Sequence, residues 1–241
     1  MVPLTILAHG QTQALKHACR HLRQRGISVV YDPCPAVTHV LLPVPSPGGG
    51  DLGGLADSLS RDITVIGGKL DHPDLAGYGK VDLLQDPMYL AQNARITAHC
   101  ALQVAMDALS CTLDGLQVLV IGWGRIGKCL VQLLSAIGAQ VTVAARKAQD
   151  RAMLEALGFR AVEIGQIDPS KYGLIYNTAP QPVLPECPGS ACKIDLASTP
   201  GITGKDVIWA RGLPNQLAPE SSGRLIAERV ISYLSEKEAG S

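Results

Sequence analysis

The sequence predicts an α/β protein built from two doubly wound domains. Two observations predict it. Short β-branched runs alternate with amphipathic helical stretches along the 241 residues, and in the second half a glycine-rich turn joins one such run to a helix. In the first half the expected strands are Leu4–Ala8, Ile27–Tyr31, His39–Pro43, Ile63–Ile66 and Val81–Leu84. An amphipathic helix runs from Gln11 to Arg25 and stops at Gly26. This spacing suits a small flavodoxin-like domain over residues 1–95. Within it, Pro45–Gly50 and Gly53-Gly54 read as a surface loop without regular structure. A helix expected over Thr97–Ser110, with Leu102, Ala105, Met106 and Leu109 at helical spacing, leads into a second domain over residues 96–241. There, strands expected at Gln117–Ile121, Gln140–Ala145, Arg160–Glu163, Leu174–Asn177, Lys193–Leu196 and Val207–Ala210 make about six, the size of a Rossmann sheet. A last helix, residues 219–236, carries the stripe Leu225, Ile226, Val230 and Ile231 and is expected to pack back on the first domain.

The most informative residues stand at one strand-to-helix junction. Gly122-Trp-Gly124-Arg-Ile-Gly127 directly follows the apolar run Gln117–Ile121 and precedes the helical stretch Lys128–Ile137. Gly122 permits a tight turn, Gly124 leaves the backbone bare for a pyrophosphate, and Gly127 lets the helix pack near the strand. With Arg125 and Ile126 between them, they open a helix whose free N–H groups attract a phosphate. A dinucleotide is expected here. An NAD enzyme usually closes the next strand with Asp or Glu, which holds the ribose 2′-hydroxyl. This chain has Ala145 there, followed by Arg146 and Lys147. Two cations suit a 2′-phosphate, so the expected cofactor is NADP(H), against the alternative of two solvated loop charges.

Composition excludes several classes. The formal charge is zero, which gives no electrostatic case for nucleic acid or an anionic membrane as partner. No apolar stretch reaches the ~18 residues of a membrane span, and Met1–His9 lacks a basic region and a long apolar core, so a cytoplasmic protein is expected. The seven cysteines are scattered without a CxxC pair. They suit reduced thiols better than disulfides or zinc, and no metal is expected. Homo-oligomerisation is compatible with this composition.

From Val81 to the C-terminal helix the chain resembles the A-type subunit family of dipicolinate synthase, spore-associated enzymes of endospore-forming bacteria. The likeness rests on Asn93–Ala98, Val120–Gly127, Asp195-Leu-Ala-Ser-Thr-Pro-Gly201 and Gly212-Leu-Pro-Asn-Gln-Leu-Ala-Pro-Glu-Ser-Ser-Gly223, with Leu41-Leu-Pro-Val-Pro45 in the first domain. The second block is generic to dehydrogenases, whereas the third and fourth are much narrower. The resemblance implies a two-domain fold related to the formate/glycerate and alanine dehydrogenases and NADP(H) as cofactor. It also implies a role in sporulation, with dihydrodipicolinate or its hydroxylated tetrahydro precursor oxidised to pyridine-2,6-dicarboxylate. A separate flavoprotein-like B-type subunit of dipicolinate synthase is implied as partner. The chain departs from the family pattern twice: Thr97-Ala98-His99-Cys100 stands for Thr-Ala-Glu-Gly, and Leu213-Pro214-Asn215 for Leu-Pro-Gly.

Candidate chemistry lies at the carboxyl ends of the expected strands, where doubly wound sheets bind ligands. Asn177-Thr178-Ala179-Pro180 and Leu196-Ala197-Ser198 follow two of them, and the resemblance places Asn177, Thr178 and Ser198 near the ribose and nicotinamide. The alternative is a strand terminator and a turn before Pro200. His99 is a candidate base in the first turn of the expected helix, on the face turned toward the interior or the cleft. The free N–H groups around Thr97 would bind one carboxylate of a small cyclic dicarboxylate in a cleft between the domains. A capped, satisfied histidine fits the same position. Ser46 and Lys69 follow strands of the first domain as weaker substrate candidates. Two other functions fit these observations: an NADP-dependent imine or keto-acid reductase of changed substrate, and a nucleotide-binding partner protein without catalysis of its own.

Overall fold

The computed structural model describes residues 4–46, 52–185 and 191–239, and the chain divides into two compact units, Met1–Asn93 with Pro214–Ser241, and Ala94–Leu213. The first unit begins β1 (Thr5–Ala8), α1 (Gln13–Gln24), β2 (Ser28–Val30), β3 (His39–Leu41), α2 (Leu52–Asp57), β4 (Thr64–Gly67) and β5 (Gly79–Asp82). Its strands are all parallel, in the order β2-β1-β3-β4-β5 of a flavodoxin-like sheet. Leu7, Val40, Leu42 and Val65 fill one face together with Leu52 and Leu55 of α2. That helix corrects the expectation of an irregular loop at Gly53-Gly54. Burial of two leucines one turn apart outweighs the roughly 1 kcal/mol each glycine costs in a helix. The part of that expected loop at 47–50 lies outside the described residues.

α3 (Pro87–Ala108) follows, and it starts ten residues before the expected Thr97. Its start is set by Asp86, whose Oδ1 accepts from the Met88 N–H at 2.8 Å, and by Pro87 in the first turn, where no helical N–H is needed. Its fully buried face shares only Ala105 with the expected one. Ala94, Ala98, Ala101 and Ala105 are buried, whereas Met106 is 66% exposed. The alanine stripe admits close packing: the Tyr176 hydroxyl reaches the Ala101 carbonyl oxygen at 2.9 Å.

The second unit contains β6 (Gln117–Ile121), α4 (Arg125–Ala136), β7 (Gln140–Ala144), α5 (Ala148–Ala156), β8 (Arg160–Val162), β9 (Leu174–Asn177), β10 (Cys192–Asp195) and β11 (Val207–Trp209). The order β11-β10-β9-β6-β7-β8, parallel throughout, is that of a Rossmann sheet. β6 and β9, buried on both faces, form its centre. The chain ends with α6 (Leu213–Leu217) and α7 (Pro219–Ala239). α7 packs along α1, and a Cβ on Gly223 would fall 2.5 Å from the Ala14 carbonyl oxygen and from His17 Cβ. Among the described residues no helix is long and apolar enough to cross a membrane.

Candidate functional site

At the carboxyl end of β6 the chain turns at Gly122 with φ of 104°, a left-handed conformation that favours glycine. A Cβ there would stand 2.5 Å from Thr178 Oγ1. Gly127 lies so close to the Gly122 carbonyl oxygen that any side chain on it would collide. Gly124 differs, with nothing within 4 Å of where its Cβ would be. It is the N-cap of α4 without a side-chain cap, so the first amides of that helix face open space beside Arg125, which is exposed, and Ile126, which is half-buried. A bare backbone and free N–H groups are what a pyrophosphate needs, so these residues fit a dinucleotide.

The turn opens into a groove of about 360 Å³ lined by Gly122, Trp123, Gly124, Ala145, Arg146, Lys147, Asp150, Ile164 and Thr178–Gln181. Ala145 is buried, while Arg146 and Lys147 are exposed at the end of β7. Arg146 Nη1 lies 3.4 Å from Gln181 Oε1. Arg151 shapes this corner: Nη1 donates to the Ala145 and Arg146 carbonyl oxygens at 2.9 and 2.8 Å, and Nη2 pairs with Glu163 at 3.6 Å. Sequence reasoning missed Asp150 and Arg151. The signal was present, because the first turn of a helix starting at Ala148 brings its third residue back beside Lys147.

Thr178 braces the turn, its hydroxyl donating to the Ile121 carbonyl oxygen at 3.0 Å. Ala179 is half-buried and Pro180 exposed. Asn177, fully buried, accepts from the Ala179 N–H at 2.9 Å and donates to Asp195 Oδ1 at 3.0 Å. In the sequence Asp195 stands out only as the first residue of a motif. Its carboxylate also accepts from the N–H groups of Ala197, Gly201 and Ile202 at 3.0, 2.7 and 3.0 Å. It thereby folds the segment after β10, leaving Leu196 and Ala197 buried and Ser198 exposed. Asn177 and Asp195 shape the sheet edge, and neither turns a free polar atom outward.

The substrate candidates do not share one setting. Thr97 is buried and His99 exposed in the interior of α3, so the expected anion site at a helix N-terminus does not exist there. Backbone N–H groups at that depth bond to carbonyls one turn back. His99 also faces away from the buried alanine stripe, so of the two expected settings, interior or cleft, the interior is ruled out. Beside it, burial pushes the Cys100 thiol up, keeping it neutral. Ser46 is buried in the first unit, with its N–H on the Gly68 carbonyl oxygen at 2.7 Å. Lys69, exposed with φ of 63°, has its backbone N–H held by the Asp82 carboxylate at 3.1 Å.

Comparison with known proteins agrees with this geometry. A family model for the NAD-binding domain of D-isomer specific 2-hydroxyacid dehydrogenases matches residues 85–170. The A-type subunit of dipicolinate synthase from Bacillus subtilis (strain 168) is 28% identical over 162 residues, 61% of this chain and 54% of that protein. The chain thus spans about half the length of this curated relative. The crystal structure of the same subunit type from Bacillus halodurans matches with a TM-score of 0.83 at 22% identity, covering 97% of this chain and 98% of that one. The corresponding structure from Bacillus subtilis gives 0.83 at 20%, covering 100% and 99%. The fold is that of the A-type dipicolinate synthase family. The matched dehydrogenase domain and the glycine turn support an oxidoreductase that uses a nicotinamide dinucleotide.

Proposed function

We propose that this protein is an NADP-dependent oxidoreductase that forms pyridine-2,6-dicarboxylate from dihydrodipicolinate or its hydroxylated tetrahydro precursor, and that it works with a second, flavoprotein-like subunit. The observation that carries the reading is the meeting of the glycine turn with Arg146 and Lys147 in one groove. It occurs in a chain whose sequence follows the A-type subunit of dipicolinate synthase over 162 residues. Gly122, Gly124, Arg125, Ile126 and Gly127 would hold the pyrophosphate, Arg146 and Lys147 the 2′-phosphate, and Thr178–Pro180 with Leu196–Ser198 the far side of the cofactor. The bound nicotinamide supplies hydride transfer. The chain's part is to orient the substrate and take a proton, and His99 is the proposed base, an imidazole that α3 leaves open to solvent.

Fluorescence titration tests the cofactor reading. NADPH is expected to bind at least about tenfold more tightly than NADH, the worth of one or two charge-assisted hydrogen bonds. An Arg146→Ala, Lys147→Ala double variant is expected to lose that preference. Equal affinities in the parent would defeat the proposal.

A further inference from the structure

Between β7 and α5 the chain runs through Ala145, Arg146 and Lys147, which belong to neither element. The sheet takes the first N–H of this stretch, which Ala145 donates to the Val162 carbonyl oxygen at 3.0 Å. The helix takes the last carbonyl, where the Lys147 oxygen accepts from the N–H groups of Asp150 and Arg151 at 3.1 and 3.2 Å. The Ala145 and Arg146 carbonyl oxygens fall between, outside both sheet and helix, and such groups need another partner. One atom gathers them. Arg151 Nη1 donates to both, at 2.9 and 2.8 Å, so that the two hydrogens of one nitrogen fix two consecutive peptide groups. Nη2 of the same planar fork lies 3.6 Å from Glu163, just after β8, which holds the fork from its other side. The Arg151 side chain is 22% exposed. Arg146 and Lys147, which line the groove, are exposed.

Long exposed cations lose rotamer freedom when they grip an anion, so what a fold can set in advance is the backbone that carries them. We propose that Arg151 is a positioning residue for cofactor choice: by holding the Ala145 and Arg146 peptide groups, it presents Arg146 and Lys147 together to one 2′-phosphate. The inference rests on the NADP reading above and adds the residue that makes two flexible cations act as one site. Arg151 is not among the described residues lining the groove, so it acts through its neighbours rather than by touching the nucleotide.

Paired fluorescence titrations of NADPH and NADH into the full chain test this. They are run on the parent, Arg151→Met, Arg151→Lys, the Arg146→Ala, Lys147→Ala double variant, and a triple variant that adds Arg151→Met to the double. Arg151→Met is expected to lower NADPH affinity by about tenfold, the worth of one charge-assisted hydrogen bond, with NADH affinity nearly unchanged. Arg151→Lys keeps the charge but not the planar fork. It is expected to lose about threefold of the preference, near the low end of what one net hydrogen bond is worth. In the background lacking both cations, Arg151→Met is expected to leave the NADPH-to-NADH ratio where the double variant puts it, since a residue that works through others is silent without them. Equal weakening of both cofactors would make Arg151 a general support of the fold. A preference kept whole in either single variant would leave the peptide groups without influence on it, and a further loss in the triple variant would mean that Arg151's own charge reaches the phosphate. Each of these overturns the proposal. If the parent itself binds both cofactors equally, the NADP reading falls and this inference with it, an outcome distinct from a parental preference that Arg151→Met leaves intact.

Discussion

Asp150 places a carboxylate in the same groove as Arg146 and Lys147, and its charge would work against the proposed 2′-phosphate. Being in the first turn of α5, it also stabilises the positive end of that helix. Asp150→Asn is expected to shift binding further toward NADPH by roughly two- to fivefold relative to NADH, the range of an exposed charge interaction. An unchanged ratio in paired titrations would show that the carboxylate does not face the phosphate. Ala145, Arg146 and Lys147 were legible in the sequence because they are consecutive at a strand end. Asp150 was not, since its nearness to them needs the helical return. Asn177 was legible as a strand terminus, but its partner Asp195 lies 18 residues away on β10, and no spacing rule reports a hydrogen bond between neighbouring parallel strands.

α3 shows how an element's boundary decides what its residues can do. The alanine-rich stretch from Ala94 carries little hydrophobic contrast, so periodicity alone favoured Leu102 and Met106 and a late start. The Asp86-Pro87 pair was the better signal. Asp86 does a second job: its Oδ2 accepts from Arg229 Nε of α7 at 2.6 Å. Burial pushes the Asp86 carboxyl up, but the hydrogen bonds from Arg229 and the Met88 and Tyr89 amides outweigh it and hold the group below its ordinary range. The stabilisation is therefore complete above the ordinary value of 3.8 and lost as pH falls below it toward the depressed value. At neutral pH Arg229→Met is expected to cost about 1.5–3 kcal/mol in urea unfolding. The parent should lose stability below pH 3.8 more steeply than Asp86→Asn; parallel acid curves would refute the assignment.

At the scale of the molecule, the alternation of strand and helix was enough to predict two parallel doubly wound sheets, because parallel neighbours require crossovers and right-handed crossovers restrict the order. Glycines report finer detail, and two of them serve different units. Gly124 stands in extended backbone with open space around it, in a unit formed by Ala94–Leu213 that contains every residue lining the nucleotide groove. Gly223, within α7, lies against α1 in the other unit. Valine at these two positions should separate binding from stability. Gly124→Val fits the backbone sterically but fills the space where the proposed pyrophosphate would lie, so NADPH affinity should fall by roughly 100-fold or more, the loss of a charge-assisted contact, with thermal stability almost unchanged. Gly223→Val forces α7 off the Ala14 backbone and should lower stability by about 1–3 kcal/mol or more, as overpacking does, while the folded fraction binds NADPH as the parent does. Normal NADPH binding by Gly124→Val would mean that the glycine turn does not cradle the cofactor. Loss of affinity in folded Gly223→Val would mean that the groove depends on more than the Ala94–Leu213 unit.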